Sequence, residues 1–154
     1  MTNTAQPAIV LIAEDDADDM AITMRALREG YPGISITTVQ DGEELMDYLH
    51  GRGAYTNPTE APRPSLILLD LNMPRKSGRE ALAEIKADDN FRSIPIVVFT
   101  TSSAPIDVET SYSTGANAYL TKPLSYSEML ASMRALTDFW FNHAILPSQM
   151  QGAD

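Results

Sequence analysis

The 154-residue chain is 44% hydrophobic and 21% charged, an ordinary globular composition with length enough for one domain and a real core. Eleven Lys and Arg against twenty-one Asp and Glu leave a net charge of −10, a field that repels nucleic-acid phosphates and anionic lipid. The absence of cysteine excludes disulfides, thiolate zinc sites and thiol catalysis, and fits a reducing cytoplasm.

The expected layout is a short arm (residues 1–7), one domain (8–141) and a tail (142–154). The arm lacks a basic n-region. AIVLIA (8–13) is an uninterrupted apolar run rich in branched residues, as a strand covered on both faces requires. Glu14, Asp15 and Asp16 end it after six residues, too few for a secretory or membrane-spanning segment. No other stretch reaches spanning length, so a soluble cytoplasmic protein is expected. Met20, Met24 and Leu27 then repeat at helical spacing until Gly30 and Pro32 close the helix. ISITTV (34–39) reads as a second strand. Asp41 with Glu44 resembles a capping box opening a helix that carries Leu45 and Leu49.

GRGAYTNPTEAPRPS (51–65), with two glycines and three prolines, reads as an exposed loop. It is longer than most connections, which suits recognition as well as connection. LILLD (66–70) is the third strand, and Ser77 with Glu80 caps a helix carrying Leu82 and Ile85. IVVFT (96–100) is the fourth strand, followed by a weakly amphipathic helix over about 105–113. AYLT (118–121) is the fifth. Ser125 and Glu128 form a third capping pattern before Met129, Met133, Leu136 and Trp140, a stripe that reads as helix core. Five strands alternating with helices predict an α/β fold: one doubly wound five-stranded parallel sheet of flavodoxin-like order 2-1-3-4-5.

Polar residues interrupt the apolar runs at one recurring place, the C-terminal end of a strand. Glu14, Asp15 and Asp16 follow strand one, Asp70 closes strand three, Thr100 closes strand four, and Lys122 follows strand five. Read alone, each acid is a turn former or a helix cap. In this fold all of them open onto one edge of the sheet. Crowded carboxylates raise one another's pKa or take a cation, and hard oxygen donors without His or Cys favour Mg²⁺. Mg²⁺ retains positions for phosphate oxygens. Lys122 supplies a positive charge and Thr100 a hydroxyl donor. Asp70, ending the central strand between acids and lysine, is the best-placed nucleophile for phosphoryl transfer.

These segments, LIAEDD, LILLDLNMP, VVFTTS and AYLTKP, resemble in order the motifs of the response-regulator receiver family, over about residues 9–140. The resemblance implies a two-component switch that receives a phosphoryl group from a sensor histidine kinase on Asp70. It implies a domain that assists its own phosphorylation and slow dephosphorylation rather than an enzyme. Glu14 and Asp15 become the metal-site acids, with Asp15 the better candidate for direct ligation, and the backbone carbonyl of Asn72 completes the site. Asp16 falls one position beyond the pair and reads as a helix-start residue. Thr100 and Tyr119 become a coupled switch, although Tyr119 read alone is half-buried strand filler. Lys122–Pro123 resembles the family's cis peptide.

The proline-rich loop and the last helix running into FWFNHAILP resemble small receivers paired with bacterial phytochrome kinases. Phe139, Trp140 and Phe141 either fold back on the core or, with Ile145 and Leu146, form a homodimer contact through the last helix and tail. His143 reads as surface or tail packing. Fourteen residues follow Trp140, too few for an output domain, so output is expected through a downstream protein or phosphotransfer partner. A haloacid-dehalogenase-type phosphatase would need a second aspartate two positions after the nucleophile, where Asn72 stands. A third alternative is a receiver-like scaffold that is never phosphorylated.

Overall fold

In the computed structural model, which describes residues 8–147, the sheet has five parallel strands in the order β2-β1-β3-β4-β5. The strands are β1 (Ile9–Ala13), β2 (Ser35–Val39), β3 (Leu66–Leu69), β4 (Ile96–Thr100) and β5 (Ala118–Thr121). The helices are α1 (Ala17–Gly30), α2 (Gly42–His50), α3 (Gly78–Ala87), α4 (Pro105–Thr114) and α5 (Tyr126–Thr137). The expected order is therefore observed. Among the described residues no helix is long and apolar enough to cross a membrane.

The unbroken apolar strands feed two cores, one on each face, because successive strand side chains alternate. Leu11, Ala13, Ile67, Leu69, Ile96 and Val98 pack with Leu45, Met46, Leu82 and Ile85 from α2 and α3. Val10, Ile12, Leu66, Leu68, Val97 and Phe99 pack with Leu27 of α1 and Met129, Met133 and Leu136 of α5. Met20 and Met24 lie half-buried against that second core, as their spacing indicates.

Helix starts follow the predicted caps, with differences in chemistry. Ser77 and Glu80 make the full reciprocal box. Asp41 accepts from the Glu44 N–H, but the Glu44 carboxylate reaches back to the N–H of Gln40, one residue further than a capping box. Ser125 accepts from the Glu128 N–H and donates its hydroxyl to the Glu128 carboxylate. Asp16 caps α1 through the Asp19 N–H, as its position suggested.

The C-terminal region departs from a simple helix end. After Thr137 the backbone widens into π turns over Asp138–His143. This splits the aromatic cluster. Phe139 stays 54% exposed, Trp140 packs on the second core, and the Phe141 ring sits 5.6 Å from that of Tyr31. Ile145 points outward, but Leu146 is buried, so Leu146 and most of Phe141 serve the fold instead of adding surface. His143 is exposed beside Asp138, consistent with surface packing. The expected arm and the end of the tail lie outside the described residues.

Candidate functional site

The ladder carries the polar residues to the edge of the sheet. The Glu14 N–H donates to the Val39 carbonyl, Asp70 N–H to Ala13, and Lys122 N–H to Thr100. Each residue just past a strand is thereby held in register with its neighbour. Glu14, Asp70, Thr100 and Lys122 meet as the strand ends predicted.

Asp70 is 7% exposed, and each of its oxygens is engaged. Oδ1 accepts from the Asn72 N–H at 3.0 Å and from the Thr100 hydroxyl at 2.9 Å. Oδ2 accepts from Lys122 Nζ at 2.9 Å. Burial alone would raise the Asp70 pKa, but these donors hold it below the ordinary carboxylate range. Lys122 also contacts the carboxylates of Glu14 and Asp19. Burial disfavours its ammonium, yet bonds to Asp19, Glu14 and Asp70 lift its pKa above the usual lysine range.

One ammonium cannot neutralise three carboxylates. Glu14, 5% exposed, has only Lys122 and the Asp16 N–H as donors among the described residues, and burial pushes its pKa up to about 7. The site therefore holds more negative charge than its lysine balances. Carboxylate oxygens of Glu14, Asp15 and Asp70 lie within 4.8 Å of one another, with Asp15 facing solvent. Three hard oxygen donors and a charge deficit fit a divalent cation such as Mg²⁺ or Mn²⁺.

Tyr119 is half-buried, and its hydroxyl donates to the Ser102 carbonyl at 2.8 Å. The Thr100 and Tyr119 pair thus brackets the loop after β4, one at Asp70 and the other at Ser102. The resemblance implied a cis peptide at Lys122–Pro123; this bond is trans, as is every peptide bond among the described residues.

Two contributions escaped sequence reading. Asp19 reads as a first-turn acid suited to a helix N-terminus, and only the folded chain brings it within 2.8 Å of Lys122 Nζ, just past β5. Arg79 bridges the site to α4, donating to the Asn72 side-chain oxygen at 3.1 Å and to Asp107 at 3.0 Å. Asp107 in turn accepts from the Ser102 hydroxyl at 2.6 Å. The pair Arg79 and Asp107 is separated by 28 residues, a spacing that carries no local signal.

Comparison with known proteins identifies this arrangement. The sequence profile of the Response regulator receiver domain matches residues 10–134. Response regulator Rcp1 of Synechocystis sp. (strain ATCC 27184 / PCC 6803 / Kazusa) is 37% identical over 142 residues, covering 92% of this chain and 95% of Rcp1. The crystal structure of the phosphorylated cyanobacterial phytochrome response regulator RcpA superposes with a TM-score of 0.85 at 39% identity, covering 92% of this chain and 99% of RcpA. The Mn²⁺-bound form of Rcp1 gives a TM-score of 0.82 at 37% identity, again covering 92% and 99%. By sequence profile, by relatives matched nearly end to end and by fold, this chain belongs to the response regulator receiver family.

Proposed function

We propose that this response regulator accepts a phosphoryl group on Asp70 from a sensor histidine kinase, with Mg²⁺ held by Glu14, Asp15, Asp70 and the Asn72 backbone carbonyl. The observation that carries the reading is Asp70 itself, kept ionised in a buried crevice between one hydroxyl, one ammonium and a cluster of acids. An Asp70 carboxylate oxygen attacks phosphorus as the bond to the kinase imidazole nitrogen breaks, and the imidazole leaves to take up a proton. A bound Mg²⁺ would offset charge on the phosphoryl oxygens. Lys122 moves its hydrogen bond from Asp70 toward a phosphoryl oxygen, and the Thr100 hydroxyl does the same. Such a transfer would free Thr100 from Asp70 and alter the loop that Ser102 shares with Tyr119.

Membership of the receiver family disposes of the dehalogenase reading. The complete set of Asp70, Thr100 and Lys122 favours a phosphorylated module over an inert scaffold. That RcpA is a phytochrome response regulator solved phosphorylated supports pairing with a bacteriophytochrome kinase, and that Rcp1 was solved with Mn²⁺ supports a divalent cation at the acid cluster; the site of action we propose is the cytoplasm. Output passes to a downstream protein or phosphotransfer partner. A homodimer through the last helix would use exposed Phe139 and Ile145; light scattering that finds monomer at every concentration would dismiss it.

Thr100→Ala and Lys122→Ala should leave Asp70 able to take a phosphoryl group from a small donor, more slowly, while uncoupling the response at Tyr119. Amide exchange around residues 119–122 reads the coupling; a wild-type change in either variant would remove that residue from the switch. Lys122→Ala also strands Glu14 and Asp70 without their shared cation. It should cost about 3–5 kcal/mol in metal-free buffer, part of it recovered by Mg²⁺.

Glu14 gives the site a pH dependence. Without metal, its raised pKa favours folding while it is protonated; this stability is full below the carboxylate range and lost as pH rises through about 7. Metal must displace that proton. Apparent Mg²⁺ affinity should therefore fall roughly tenfold per pH unit below about 7, and Glu14→Gln should flatten the profile. Calorimetric titrations on both sides of neutrality check this, and a wild-type affinity indifferent to pH would contradict it.

A further inference from the structure

The loop between α2 and β3 builds a second site at the opposite rim of the sheet from Asp70, where strands begin. A cavity of about 430 Å³ lies there, within the range of small-molecule pockets. Its walls include Tyr48, Tyr55, Pro58, Arg63 and Phe91. These walls are fixed rather than loose. The Tyr48 hydroxyl donates to the Pro62 carbonyl at 2.8 Å, and the Tyr55 hydroxyl is bonded to Glu44. The Tyr48 and Tyr55 rings stand 5.1 Å apart, and His50 meets Phe91 edge-on at 4.9 Å.

Arg63 is the anomaly in this wall. Its guanidinium sits over the Phe91 ring at 5.9 Å, and Nη1 donates to the Asn90 carbonyl at 2.9 Å. Its Nε is buried without a hydrogen-bond partner, and no carboxylate among the described residues pairs with it. The neighbouring arginines differ: Arg52 pairs with Asp47 and Arg92 with Asp89. Burial pulls the Arg63 pKa down, the mark of a cation lacking its counter-charge. A buried donor left unpaired is costly, and a planar guanidinium is suited to bidentate carboxylate recognition.

We propose that this pocket binds a small aromatic carboxylate, its ring against Tyr48, Tyr55 and Phe91 and its carboxylate on Arg63. The apolar walls supply area and the guanidinium supplies orientation, the usual division in ligand pockets. The net charge of −10 opposes non-specific anion binding, so selectivity for an anion here would come from Arg63.

The probe is 2-naphthoate, titrated into the 154-residue chain and followed by amide chemical shifts, with the neutral 2-naphthalenemethanol as its control. The expected result is saturable shifts confined to residues 48–63 and 90–92. Affinity should fall about tenfold for the neutral control and for naphthoate on Arg63→Gln, as for loss of one charge-assisted hydrogen bond. The neutral control on wild-type protein reads the charge contribution even if the variant unfolds. Shifts that fail to saturate, that spread beyond this loop, or that are equal for the acid and the alcohol would overturn the proposal.

Discussion

Asp70→Asn is expected to abolish acid-labile phosphorylation by a small phosphodonor, down to background. The amide is isosteric, so the crevice keeps its volume, but its oxygen is a poor nucleophile and its charge is gone. Lys122 would then pair with Glu14 and Asp19 alone. Thr100 could still donate to the amide oxygen, so a native-like melting transition is expected alongside the lost chemistry. That combination separates loss of the acceptor from loss of the fold. Phosphorylation of this variant at the wild-type rate, measured by intact mass, would end the case for Asp70.

Gly78→Ala should have the largest effect on stability of any single methyl group added near the site. A Cβ at Gly78 would lie 1.9 Å from the carbonyl oxygen of Asp70, a backbone atom that cannot swing aside. Gly78 also donates its N–H to the Leu71 carbonyl, which ties the start of α3 to the end of β3. Alanine's better helix propensity is worth at most about 1 kcal/mol. Overpacking costs about 1–3 kcal/mol, and a clash with fixed backbone belongs at the top of that range. Each kcal/mol lowers the melting temperature of a domain this size by roughly 2–4 °C. The displaced atom belongs to Asp70, so phosphorylation should slow as well. An unchanged melting temperature would mean that α3 slides freely against β3, contrary to the packing described.

Much of this molecule is legible in its sequence, and the reason is physical. The central strands β1, β3 and β4 are apolar runs because both faces are covered, and the polar residues at the strand ends mark the one edge left open. That is how the sequence alone places Glu14, Asp70, Thr100 and Lys122 together. What stays hidden depends on which elements meet. Asp19 looks like a helix-start acid until Lys122, 103 residues away along the chain, reaches it across the sheet edge. Arg79, Asp107 and Ser102 form a relay only because α3 and α4 pack side by side. Leu146 looks exposed beyond a helix end, yet the π turns over Asp138–His143 redirect the chain and bury it. Arg63 sits in a loop whose composition signals exposure, while two of the pocket's aromatic walls, Tyr48 and Phe91, come from α2 and from the turn before β4.

The most direct test of the central claim is the site of phosphorylation in the wild-type protein. The full chain is incubated with a small phosphodonor in Mg²⁺ and, in parallel, with a chelator, then weighed intact and mapped by peptide mass. The expected result is one acid-labile phosphoryl group, on Asp70, formed in Mg²⁺ and absent with chelator. A group on any other residue, or labelling indifferent to the cation, would contradict the account of Asp70 as a metal-assisted phosphoacceptor.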